Sequence, residues 1–354
     1  MTRRSTTVTA AAVLLVVVTA VAVLLPVPYV TMRPGPTRDV LAMGSGGAVL
    51  DIEGRKTYPT DGSLRLTTVS VTSPDDSIGI AEAVQAWISP DEAVIPRDAV
   101  YPPSKSAEES EQESAIQMAG SQEVAAAAAL RLLGDEVPER TAVLAVTKGA
   151  PADGVLEVGD VIVAVDNNPT STTAETVAAI RDRSVGDDVR LRIRRGDDDE
   201  QVTVTTTGLQ NPQTGQRVPA VGITPGVSYD LPITVEITLP GGIGGPSAGT
   251  IFALAIYDAL TPGSLTGGAS VAGTGEVSAD GAVGAIGGIQ QKIVGAVDAG
   301  AEVFLVPAPN CAEAAGADID PGDIRLVRVQ DLGAAVDALE TLADDPNGKV
   351  ATCE

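Results

Sequence analysis

Residues 273–310, "GTGEVSADGAVGAIGGIQQKIVGAVDAGAEVFLVPAPN", decide the architecture of the carboxyl-terminal part of this chain. The opening, with the "GASVA" before it, reads as a pair of short strands with turns. The middle, "IQQKIVGAVDAGA", places Ile289, Ile293 and Ala296 at i, i+4 and i+7, which is one face of a helix. The end, "EVFLVP", is an apolar run of strand length. Working outward, "PITVEITLP" (232–240) reads as a strand, "SAGTIFALAIYDAL" (247–260) as a buried helix, and "LGAAVDALETLAD" (332–344) as a final helix. Alternating strands and helices over residues 222–343 predict an α/β domain, followed by a tail at 344–354.

One residue interrupts the helical stripe. Lys292 falls at i+3 of the same face, among aliphatic neighbours. A lysine there must snorkel outward, find a partner, or give up its charge. Upstream, "GGIGGPSAGT" (241–250) sets Ser247 between Gly245 and Gly249, the spacing of a nucleophile elbow. A serine at a helix start is also an ordinary amino-terminal cap. As a nucleophile it needs a base, and the chain has no histidine. That excludes histidine-dependent esterases and lipases and argues against a zinc hydrolase.

Lysine can serve as the base if its pKa falls. At the free value of about 10.4, roughly one amine in 2,500 is neutral at pH 7. Burial can lower the value by about 3–5 units. Of Lys56, Lys105, Lys148, Lys292 and Lys349, only Lys292 lies on an apolar face. The S-x-x-K arrangement of β-lactam-binding enzymes is absent, since Thr250 stands three residues after Ser247.

The amino-terminal residues are not those of a globular domain. Arg3 and Arg4 precede an uncharged run at 8–25, extended by 26–30 to 23 residues. About 20 apolar residues cross a bilayer. A cleaved signal peptide would have a shorter apolar region, about 7–15 residues, ending at a small-x-small site. Residues 1–30 are therefore expected to form a cytoplasmic stub and transmembrane anchor, with the remainder extracytoplasmic. Residues 31–137 read as strands and helices packing on the α/β domain. In "GSLRLTTVSVTSP", Leu64, Leu66, Thr68 and Ser70 alternate with Arg65, Thr67, Val69 and Val71, predicting one strand. Residues 78–87 predict an amphipathic helix. "PPSKSAEESEQES" reads as a loop or helix entry, and "EVAAAAALRLLG" as a helix stopped by Gly134.

Residues 138–208 form a separate β-rich module. "TAVLAVTKG" and "GDVIVAVD" are strands, "TTAETVAAIRDR" is a helix capped by Thr172 or Thr173, and "DVRLRIRRG" with "EQVTVTTT" is a hairpin. The stretch "VTKGAPADGVLEVGDVIVAVDNNPT" resembles the PDZ family, whose Gly-Asp pair and following strand correspond to Gly159-Asp160 and 161–165. The resemblance implies capture of extended peptides by strand addition. The family's carboxylate-binding loop carries a glycine between hydrophobic residues, and the corresponding "EVPERTAVLAV" has none.

"GPSAG" (245–249) and the 273–310 stretch resemble the proteolytic domain of the Lon family, peptidases with a serine–lysine dyad. The resemblance implies Ser247 as nucleophile, Lys292 as general base and Thr274 as hydrogen-bond partner of the lysine. It further implies an oxyanion and substrate loop at Gly244, Gly245, Pro246, Ala248 and Gly249. Gly244 stands where Lon has aspartate. No phosphate-binding G-x-x-x-x-G-K-[ST] occurs, because the single Gly-Lys pair, Gly348-Lys349, precedes Val350. The layout resembles bacterial membrane-anchored, PDZ-containing Lon-like proteases.

The expectation is a multidomain α/β protein: transmembrane helix, PDZ-like domain and Lon-type domain. It would act as an ATP-independent, membrane-anchored serine peptidase on unfolded or extended extracytoplasmic peptides and protein segments. No cofactor or metal is expected. By analogy, Lon-type domains assemble as homo-oligomers, including hexamers. The alternative is a PDZ adaptor with an inactive Lon-like domain. With 23 basic against 47 acidic residues, net charge −24, nucleic acid is a poor partner. Aromatics are 2% of the chain, so its core must be aliphatic. Cys311 and Cys353 either form a disulfide that ties down the tail or remain two thiols.

Overall fold

The computed structural model describes residues 11–16, 25–44, 47–103, 105–196, 198–210, 215–239, 242–320 and 322–353. About half of the expected membrane-crossing run at 8–30 lies outside these. Within it, only residues 11–16, which are helical, and 25–30 are described. Among the described residues no helix is long and apolar enough to cross a membrane.

The chain divides into two units, one from Met1–Leu133 with Ile233–Glu354, the other Gly134–Pro232. The second is thus inserted into the first. Residues 222–232, read above as part of the α/β domain, fall in the inserted unit.

The first unit is organised by a five-stranded sheet in the order Arg38–Asp39, Ser63–Leu66, Ser270–Gly273, Val303–Pro307, Arg325–Val329. The last four run parallel, and Arg38–Asp39 closes one edge antiparallel. Val303–Pro307 is buried along its whole length, as its unbroken apolar sequence requires of a strand covered on both faces. The strand predicted across 64–71 is broken in two. Ser63–Leu66 enters this sheet, whereas Val69–Val71 pairs with Tyr29–Pro34 in a separate three-stranded sheet completed by Ala93–Pro96. The break falls at Thr67, whose buried hydroxyl donates to the Gly273 carbonyl at 3.2 Å. Period-two alternation therefore overstated one continuous strand.

Two helices pack beside each other against this frame. Gly249–Leu260 is buried at every position but Tyr257, as expected of a helix apolar all round. Its neighbour, Ala107–Leu132, is a single 26-residue helix. Residues 107–114 of the polar stretch read as a loop or helix entry form its first two turns. Ser106 starts it with a capping box: the Ser106 hydroxyl accepts from the Glu109 amide at 3.1 Å, and the Glu109 carboxylate accepts from the Ser106 amide at 2.7 Å. The second half buries the alanines at 125–129 and Leu130.

Cys311 and Cys353 are bonded, with Cα atoms 5.0 Å apart. The tail is also held by backbone bonds to the last strand of the sheet, Arg328 N–H to Ala351 O at 2.9 Å and Cys353 N–H to Leu326 O at 3.3 Å.

The inserted unit is an antiparallel sheet in the order Asp198–Thr205, Asp188–Arg195, Val161–Val165, Glu139–Val146, Ile223–Tyr229. Its helix, Thr173–Arg181, is capped by the Thr172 hydroxyl, which accepts from the Glu175 amide at 3.2 Å. An aliphatic cluster including Val143, Ile162, Leu191 and Ile193 fills the interior. Asp160, almost fully buried, receives two hydrogen bonds from the Arg195 guanidinium at 2.8 and 2.7 Å. Burial opposes ionisation of this carboxyl. The Arg195 hydrogen bonds, the Glu157 amide and the arginine charge outweigh it and hold the pKa below the ordinary carboxylate value.

Candidate active site

Lys292 lies in the helix Ile289–Asp298 with Ile289, Ile293 and Ala296 on its buried face. It does not snorkel: only 3% of the residue is accessible. Its Nζ donates to the Thr274 hydroxyl at 3.2 Å. Burial pushes the amine down to about 8, against a smaller upward pull from the Glu276 carboxylate. At pH 7 a pKa of about 8 leaves roughly a tenth of the amines neutral, some two orders of magnitude more than for a free lysine.

Thr274 joins the lysine to the serine loop. Its hydroxyl proton goes to the Ser247 carbonyl at 3.0 Å, so its oxygen accepts from Lys292. The Gly275 amide donates to the same carbonyl at 2.8 Å, and the Thr250 amide donates to Gly275 O at 3.1 Å. The backbone of Ser247 is thereby stitched to the segment beside the lysine. Ser247 itself is half-buried, immediately ahead of the helix Gly249–Leu260. Its hydroxyl makes no hydrogen bond among the described residues. In unliganded enzymes such catalytic bonds are often long and tighten only when substrate binds.

The loop differs in detail from expectation. The amides of Gly249 and Thr250 are engaged, with Pro246 O at 3.4 Å and Gly275 O at 3.1 Å. Those of Ser247 and Ala248 donate to no acceptor among the described residues. Gly244 and Gly249 each lie close to a neighbouring side chain. A Cβ on Gly244 would stand 2.8 Å from Ser114 Cβ, and one on Gly249 would stand 2.9 Å from Val277 Cγ1. Close approach to these neighbours therefore favours glycine at both positions. Gly245 has φ +87° with open space where a side chain would be, which leaves it facing outward.

Sequence reasoning missed three contributors. Ser121, from the long helix, donates to Pro246 O at 3.1 Å, and the Gly245 amide donates to Ser114 O at 3.1 Å, so that helix grips the loop carrying Ser247. Asn310 accepts from the Ile286 amide and donates to the Ile286 carbonyl, both at 2.9 Å, pinning the turn that leads into the lysine helix. Only the capping-box spacing of Ser106 and Glu109 announced the first half of the long helix in sequence.

In the inserted unit, the segment matched above to the peptide-binding region is not at an edge. Glu139–Val146 lies between two strands, and the edge strand beside the helix Thr173–Arg181 is Ile223–Tyr229. The Thr173 hydroxyl donates to Gly226 O at 3.0 Å. A glycine between hydrophobic residues precedes this edge strand: Val221-Gly222-Ile223, with Gly222 at φ +88°. That triplet was readable in the sequence but stood on the wrong side of the expected boundary. Among the described residues no cluster of His, Cys, Asp or Glu could hold a metal ion.

Residues 116–206 match the PDZ domain, and residues 221–328 match the Lon protease (S16) C-terminal proteolytic domain. A Lon protease of Phenylobacterium zucineum is 36% identical over 100 residues, 27% of this chain and 12% of that protein. Lon protease 1 of Sorangium cellulosum is 38% identical over 96 residues, 26% and 11% of the two chains. Among solved structures, the PDZ domain of an SdrC-like protein from Listeria monocytogenes is 32% identical over 24% of this chain and 85% of that one, with a TM-score of 0.22. The chain spans only 12% and 11% of the lengths of these two curated relatives. Two stretches of the chain are therefore similar to known domains, one to a PDZ domain and the other to the Lon C-terminal proteolytic domain.

Proposed function

We propose that this protein is an ATP-independent serine endopeptidase with a Ser247–Lys292 dyad. The observation that carries the reading is a lysine amine buried to 3% accessibility whose hydrogen-bond partner is a hydroxyl rather than a carboxylate. A neutral amine has two N–H bonds and one lone pair. With Thr274 accepting one N–H, the lone pair is left for the Ser247 proton. The Ser247 oxygen bonds to the substrate carbonyl carbon as Lys292 takes the proton. The tetrahedral oxyanion is held by the Ser247 and Ala248 amides at the positive end of the buried helix. The C–N bond then breaks, Lys292 returns the proton to the leaving amine, and the freed amine activates water to release the acyl group.

The edge strand Ile223–Tyr229 offers main-chain pairing for an extended segment, a selective feature for substrates that are already unfolded. The uncharged run at 8–25, behind Arg3 and Arg4, supports anchoring in a membrane with the domains on the extracytoplasmic side. The disulfide fits an oxidising compartment. Detergent-solubilised full-length protein is expected to cleave unfolded casein without ATP, with turnover lost in both Ser247→Ala and Lys292→Ala. ATP-stimulated degradation of a folded protein, or turnover surviving both substitutions, would refute the proposal.

A further inference from the structure

The helix Ile80–Ile88 is built with its apolar side reversed. It buries Ala86 and half-buries Ala83, small residues three apart that rest against Tyr29–Pro34 and Ala93–Pro96. Its large apolar residues, Ile80, Val84, Trp87 and Ile88, recur at i, i+4, i+7 and i+8 and point outward. Trp87 is 77% and Ile88 71% exposed. The helix carries one charge, Glu82, which is paired with Arg33 at 3.2 Å. A folded protein gains nothing in water from such a stripe, so it marks a surface that something covers.

The place of this helix in the chain identifies the cover. Its lead-in is tied to the residues that leave the apolar run: Pro26 bridges Gly79, and the Val27 amide donates to Ile78 O at 3.0 Å. Leu25 and Tyr29, on that segment, are exposed too. Four side chains of one nine-residue helix are far short of the roughly 20–30 residues a side of a stable protein interface. Tryptophan and tyrosine favour the headgroup level of a bilayer, and a short helix with one apolar face lies in that plane. We infer that Ile80, Val84, Trp87 and Ile88 seat on the surface of the lipid bilayer entered by residues 8–25, holding the folded unit against the membrane. The inference rests on the anchoring proposed above.

Trp87 is the chain's single tryptophan, so its fluorescence reports this face alone. Full-length protein would be reconstituted into phosphatidylcholine vesicles, with or without bromine on the upper acyl chain, and flotation would report anchoring separately. The expected result is flotation with about a twofold or greater loss of Trp87 emission in brominated vesicles, as befits an indole at headgroup level. Val84→Glu with Ile88→Glu should still float and lose the quenching. Flotation without quenching overturns this inference and leaves anchoring standing. A concentration-dependent blue shift without bromine quenching overturns it in favour of a second copy of the chain. Failure to float overturns the anchoring and this inference together.

Discussion

The Thr274 hydroxyl stands 3.2 Å from Lys292 Nζ and 3.0 Å from the Ser247 carbonyl oxygen, donating to the second and accepting from the first. One atom thus fixes both the direction of the amine and the backbone of Ser247. Thr274→Val keeps the shape and removes both bonds. It should lower kcat by about 10–100-fold with little change in KM, the scale expected when a reacting group is misplaced by an ångström or so. Thr274→Ser should restore most of the rate. Steady-state kinetics on a fluorogenic peptide measures both.

Glu276 is the one charge found to hold the Lys292 pKa up against burial. Glu276→Gln removes a negative charge, which disfavours the protonated amine and lowers the pKa further. The acid limb of the kcat/KM profile, expected near pH 8 if Lys292 is the base, should move to lower pH. Movement to higher pH would mean that the limb belongs to another group.

Burying Lys292 costs stability. Its folded pKa of about 8 lies below the unfolded value of 10.5, so the unfolded chain binds the proton more tightly. The cost is absent above about pH 10.5, grows as pH falls to about 8, and is complete below that, reaching on the order of 3 kcal/mol. Lys292→Met should therefore abolish turnover while stabilising the protein at pH 7, by up to that amount, and the gain should vanish near pH 11. Denaturant melts at the two pH values test this.

The disulfide closes a 42-residue separation. Chain-entropy arguments assign such a loop about 4 kcal/mol of stabilisation. Cys353→Ser should lower the stability of the first unit by up to this amount. Because Cys311 follows Asn310, the residue that pins the turn before the lysine helix, activity should fall at temperatures where the parent is still fully active.

Much of the site was legible because its chemistry depends on pattern. A lysine on an aliphatic helical stripe, a glycine-flanked serine and a missing histidine are visible in the letters, and Val303–Pro307 announces itself as a buried strand. What was hidden depends on distant partners. Ser63–Leu66 is four residues long, and its place between Arg38–Asp39 and Ser270–Gly273 follows from no local signal. Ile223–Tyr229 contains Pro225 and Gly226, residues depleted in strands, and an edge position with a register shift at Pro225 accommodates that proline. The first half of Ala107–Leu132 has no apolar period, so its helix shows only in its cap. The stripe at 80–88 was readable as amphipathic, but periodicity does not say which side faces the protein.

The most direct measurement is a pH titration of the Lys292 side-chain nitrogen by heteronuclear NMR, assigned by its absence in Lys292→Met. The account gives an ionisation near pH 8, matched by the pH dependence of Ser247 acylation by an activated peptide ester. An ionisation close to the free-lysine value of about 10.4, or acylation of Ser247 indifferent to the loss of Lys292, would contradict it.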